Sequence, residues 1–208
     1  LTKTRAYATA SDLRSAGDIT IEASDTSTIS AVVKTVAAGF SVGYYAGAVS
    51  IGTGTAHNYV GRDDQAAEVL AYLSSSSARA NAGQIWLTAA ESAAITADVQ
   101  ADGHSLSVGL IAVAASGAGV VLENQVNALV RAAVSNTRNS GVQASSGVTI
   151  SAQDTSKITA NAKAATFAAA VGVGAAVSVS ASRAANTIAS TVDAHATSAS
   201  ITTTSGNL

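Results

Sequence analysis

The chain has 208 residues, and its 11 Lys and Arg against 13 Asp and Glu leave a formal net charge of −2. That balance, with basic residues scattered and not interleaved with aromatics, excludes an electrostatic case for a nucleic-acid partner. The chain has no Cys, which excludes disulfides and thiolate metal sites, and no Pro, which suits uninterrupted sheet.

Residues 1–16, with Ala6-Tyr7-Ala8, read as the end of a preceding repeat, because the same offset places Ala194-His195-Ala196 near the other end. The first full repeat, 17–82, opens on Gly17-Asp18-Ile19-Thr20-Ile21. That segment returns as Gly83-Gln84-Ile85-Trp86-Leu87 in the second repeat, 83–145, and as Ser146-Gly147-Val148-Thr149-Ile150 in the third, 146–204. Residues 205–208 then start a following copy. Gly43 recurs as Gly109 after 66 residues and as Gly172 after 63 more. A period of this length means that one supersecondary unit is stacked on copies of itself, since a single copy cannot bury its apolar face alone. With no Met anywhere, the chain reads as a segment of a longer repetitive protein.

Within each repeat the side chains alternate with period two. From Ile158 to Ala196 the even positions hold small or apolar residues, while the odd positions are polar at Thr159, Asn161 and Lys163. Period two is the signature of strands. Around Tyr44–Ile51, Leu106–Val113 and Val171–Val179 the pattern becomes apolar on both faces. A sheet of that kind is expected to be covered on both sides. Val171, Val173, Val177 and Val179 are therefore predicted to lie in a buried or assembly layer, against another layer of the chain or against an adjacent subunit. The segment 124–134 fits strand or helix and is read as strand. The run 65–73 fits a short helix as well as a strand.

The first repeat carries an insertion. Asn58 to Ala71 takes 13 steps, where Asn124 to Ala132 and Asn186 to Ala194 each take 8. The extra residues include Arg62, Asp63 and Asp64, the most charged spot in the chain. Insertions in stacked repeats fall on loops, so this is a candidate contact loop. The ordinary alternative is a tolerated polar loop.

Two further rows recur at equivalent positions. Asn58, Asn124 and Asn186 suggest a stacked amide ladder. Asp25, Glu91 and Asp154 fall between strands, where short polar side chains bond their own backbone. Stacked, they make an acidic row that could draw calcium. No other cofactor is implied. Gly39-Phe40-Ser41-Val42-Gly43 matches a nucleophile elbow, but the equivalents of Ser41 are Ser107 and Ala170, which reads as a small interior side chain and not as an enzyme. His57, His104 and His195 occupy non-equivalent positions and form no metal motif. Thr53-Gly54-Thr55 and Thr202-Thr203-Thr204 invite an ice-binding reading, but the second repeat offers no such row.

Asn58-Tyr59-Val60, Asn124-Gln125-Val126 and Asn186-Thr187-Ile188, followed by Ala6-Tyr7 or Ala71-Tyr72 and by the Gly-Asp turn, resemble the long repeats of bacterial secreted adhesins of the filamentous-haemagglutinin and autotransporter type. The second and third repeats depart from that style, with Ala132-Ala133 and Ala194-His195 where the tyrosine falls. The resemblance implies an all-β, parallel β-solenoid in an extracellular or cell-surface protein. The expected function is structural or adhesive. The expected partners are identical copies, joined head to tail or laterally, and a host or neighbouring-cell surface, with no membrane span.

Overall fold

The computed structural model describes residues 2–138 and 141–208. Its regular elements are all strands, and every pairing between them is parallel. The first rung of the stack holds β1 (Lys3–Thr9), β2 (Asp12–Ser15), β3 (Ile19–Asp25), β4 (Thr28–Val42) and β5 (Tyr45–Val60). The second holds β6 (Ala67–Ser74), β7 (Ser77–Ala80), β8 (Gln84–Glu91) and β9 (Ala94–Val126). The third holds β10 (Ala128–Ser135), β11 (Val142–Ala144), β12 (Gly147–Asp154) and β13 (Lys157–Ile188). A fourth begins with β14 (Thr191–Thr197) and β15 (Ile201–Thr203).

Four sheets run along the stack. The first is β1-β6-β10-β14, the second β2-β7-β11-β15 and the third β3-β8-β12. The fourth joins β4 and β5 to β9 and then β13. Register is kept from rung to rung: Ala6 pairs with Ala71, Ala71 with Ala132, and Ala132 with Ala194. A one-residue slip would turn every core side chain outward, so the apolar alternation holds the register.

The first three sheets enclose the core column. Val69, Leu73, Ile85, Leu87, Val130 and Val134 point into it and are fully buried. The run 65–73, where helix and strand were both open, leaves the loop and continues as β6. Ala67, Val69, Ala71 and Leu73 are buried in strict alternation, a period-two stripe that fits between β1 and β10. Segment 124–134 is also strand, divided by Asn127.

The fourth sheet forms a fin. β9 pairs with β4 along its first half and with β5 along its second, so it runs outward, turns near Gly109 and returns. The two arms touch through their inner faces. Ser116 Oγ donates to Gly103 O across the fin at 2.8 Å, and a Cβ on Gly103 would sit 2.3 Å from Gly117 O. Near the stem the arms share a small core of Ala97, Val99, Ala101, Ala118, Val120 and Leu122.

Val171, Val173, Val177 and Val179 lie on the third rung of this fin and are exposed. They are not covered by another layer of the chain, as one sequence reading had it. The arms meet through Ala, Gly and Ser, which leaves the larger apolar side chains outside.

Candidate functional site

Sheet edges, stacked side-chain rows and the fin are the features able to act on something outside the chain. The asparagine row sits where the returning arm of the fin rejoins the stem. Register places Asn58 beside Asn124 and Asn124 beside Asn186. Asn58 Nδ2 donates to Asn124 Oδ1 at 2.8 Å, and Asn124 Nδ2 donates to Asn186 Oδ1 at 2.7 Å. Each amide thus satisfies its neighbour, and the row leaves one free acceptor at the first rung and one free donor end at the third. A further rung carrying Asn in this position would continue it in either direction.

The acidic row lies at the bend between the third sheet and the fin. Asp25, Glu91 and Asp154 are in register. The outer two turn back on their own chain: Ser27 Oγ donates to Asp25 Oδ1 at 2.7 Å, and Ser156 N donates to Asp154 Oδ1 at 2.8 Å. Glu91 differs. It is 1% exposed, and neither carboxylate oxygen has a hydrogen-bond partner. Burial first, and then the charges of Asp25 and Asp154, push its pKa up to about 7. The three carboxylates stand one rung apart. Among the described residues, no group of three or more His, Cys, Asp or Glu side chains is placed to hold a metal ion.

The inserted loop is clamped to the stack. Arg62 and Gln65 exchange two backbone hydrogen bonds, at 2.8 and 3.0 Å. Gly61 adopts φ 72°, and a Cβ there would fall 2.1 Å from Asn127 O. Asn127 Nδ2 donates to Arg62 O at 2.7 Å, and Gln125 Nε2 donates to Asp63. The Arg62 guanidinium lies over the Tyr59 ring, 4.7 Å from its centroid. Asp64 is exposed. Burial of Tyr59, followed by the nearby Glu123 carboxylate, raises the phenol's pKa.

Ser41 lies within the continuous strand β4. The strand-turn-helix that exposes a nucleophile does not form there. His57 Nε2 stands 3.7 Å from Glu123, and His195 Nδ1 stands 3.0 Å from Asp193. Thr53 and Thr55 lie on the outer face of the fin, whereas Thr202 and Thr203 lie in β15 of the stem.

Sequence reasoning missed one recurring position. Ala10, Ser75, Asn136 and Ser198 form the corner between the first and second sheets in four successive rungs, and all have φ between 48° and 51°. The N–H groups of Ala10, Ser75 and Asn136 bond to the next rung, as Ser75 N does to Ser135 O at 3.0 Å. Asn136 was the one signal available, since asparagine tolerates this left-handed conformation better than most residues.

No family model, no curated protein and no solved structure matches the chain. No helix of the described residues is long and apolar enough to cross a membrane.

Proposed function

We propose that the chain is a structural or adhesive β-solenoid at or outside the cell surface that self-associates end to end through its outer rungs. The observation that carries this reading is that the core column surfaces uncapped at each end. At the first rung Ala6, Ala8, Leu13 and Ile19 pack on the core yet remain partly open to solvent, and Ile150, Ala152 and Ile201 do the same at the far end. At the first rung the opening is a cleft of about 560 Å³, lined by Ala6, Ala8, Leu13, Ile19 and Ile21 among others. Repeat proteins that stop at a given rung close it with a polar cap. Open parallel edges present unpaired N–H and C=O groups as a template for the next strand. The two ends are different surfaces, so copies joining there make a heterologous contact that does not close on itself and grows into a filament.

Sedimentation velocity of the 208-residue chain over a hundredfold range of concentration tests this. Expected are species that grow with concentration and appear as thin rods by electron microscopy. Strictly monomeric chain at every concentration would sink the stacking reading.

A further inference from the structure

β1 and β2 are the outer strands of the first two sheets at one end of the stack, and β14 and β15 are the outer strands at the other. The ionic residues of β1 are Lys3 and Arg5, with no acid among them, whereas β14 carries Asp193 and His195. Each outer strand is unfinished on its free side. Val192 is 47% exposed, although Val130 and Val69, in line with it on the strands behind, are fully buried. Tyr7 is 60% exposed, with one ring face stacked on Tyr72.

Register carries each position of β1 to a counterpart in β14. Arg5 is in line with Leu70, Arg131 and Asp193, and Tyr7 with Tyr72, Ala133 and His195. In the second sheet Leu13 is in line with Ala78, Val142 and Ile201. A second copy whose β1 follows β14 in this register sets Arg5 over Asp193 and Tyr7 over His195. Toward the core it sets Ala6 on Ala194, Ala8 on Ala196, Thr4 on Val192 and Leu13 on Ile201. Within the chain Arg131 Nε already stands 3.0 Å from Asp193 Oδ2, and Arg5 and Lys3 share Glu68. The joint therefore produces a run of alternating charge: Arg131, Asp193, then Arg5 and Glu68 of the second copy. Neighbouring strands lie about 4.8 Å apart, close enough for these charges to attract.

We propose that copies of the chain join with β14 and β15 of one laid against β1 and β2 of the next, parallel and in the chain's own register, with Asp193 selecting the edge that carries Lys3 and Arg5. This joint rests on the reading that the chain self-associates end to end. Charge favours it over β1 against β1, which would bring together two strands whose ionic residues are Lys3 and Arg5 alone. Alternation fixes the alignment. A slip of one residue would turn the side chains opposite Ala194 and Ala196 away from the core.

The absence of Cys from the chain makes the joint directly testable. Thr9 and Thr197 are exposed and occupy the same row, in line with Ser74 and Ser135. Across the joint their Cα atoms would be about 5 Å apart, within the range that a disulfide spans. Inside one chain they are three strand spacings apart, ~14 Å, so no disulfide closes within a molecule.

The whole chain carrying Thr9→Cys and Thr197→Cys is oxidised and run on a denaturing gel without reductant, beside sedimentation of the wild type. Circular dichroism checks that the strand content is unchanged. The expected result is a ladder of dimers, trimers and larger species that collapses to monomer on reduction. Either substitution alone leaves one thiol per chain and can give a dimer at most, so the ladder reports head-to-tail joining. Thr9→Cys with His195→Cys is the register control. Its thiols are offset by two residues, which puts the Cα atoms ~8 Å apart, too far for a disulfide. Asp193→Lys supplies a second measurement, since it sets a cation against Arg5 and should weaken association about tenfold at low salt. Chain that grows with concentration but forms no ladder would overturn this joint and leave self-association standing. A ladder formed equally well through residues 9 and 195 would overturn the register, and undiminished association of the Asp193→Lys chain would overturn the charge match. Wild-type chain that stays monomeric would remove both readings.

Discussion

Glu91 is the residue at which the stack carries an uncompensated cost. Its neighbours in the row bond their own serines, but it occupies the middle rung, where rungs on both sides exclude water. Its pKa rises from an ordinary 4.5 to about 7 in the folded chain. The folded state thus holds the proton more tightly than the unfolded state. The associated stability is fully present below pH 4.5 and is lost as pH rises through 7. A shift of this size corresponds to a loss on the order of 3 kcal/mol. Glu91→Gln keeps the shape without the charge. Urea unfolding of the variant is expected to show little dependence on pH between 4.5 and 8, and at pH 8 a higher midpoint than wild type. A variant that keeps the wild-type slope would place the pH dependence elsewhere. Asn124, equally buried, carries no such cost, because its amide both accepts from Asn58 and donates to Asn186. The equivalence of these residues was legible in the sequence because the repeat aligns them. Which of the two rows would be satisfied was not, since that depends on the polar atoms each rung presents to the next.

At the scale of the element, strands were legible where alternation persisted, and stayed ambiguous where the second face was also populated. In 65–73 the sequence left helix and strand both open. In the structure Glu68 faces outward beside Lys3 and Arg5, and Tyr72 stacks on Tyr7 with ring centroids 5.0 Å apart. Those partners come from another rung, so only the stacked neighbour shows that the odd and even faces belong to a strand. The fin illustrates the same limit. Period two tells which side chains share a face, but it does not tell which face looks inward when a long strand doubles back. The corner at Ala10, Ser75, Asn136 and Ser198 leaves a correctable strain, because a left-handed conformation costs an ordinary residue about 1 kcal/mol or more. Ser75→Gly should recover about 0.5–1 kcal/mol and raise Tm by about 2 °C. Ser75→Val, with a branched Cβ at the same φ, should lower it. Equal melting of all three chains would show that this corner relaxes out of the left-handed region.

For the whole molecule, stability is a sum of rungs and of the contacts between them, so it should fall toward the ends. The middle strands β6, β8 and β10 have a neighbour on each side, whereas β1, β2 and β3 have one only toward the second rung. Opening an end strand exposes one interface, and opening a middle strand exposes two. Amide hydrogen exchange is therefore expected to be slowest across Ala67–Ser74 and Gln84–Glu91, and at least tenfold faster across Lys3–Thr9 and Thr191–Thr197. The same gradient reads out assembly. If copies join end to end, raising the protein concentration supplies the missing neighbours, and protection should rise at β1, β3 and β14 while β6 and β8 stay as they were. Protection that rises instead over the outer fin, between Gly39 and Ile51, would mean that copies meet through their apolar faces. A gradient unchanged by concentration would mean that the open ends of the core column do not recruit further rungs.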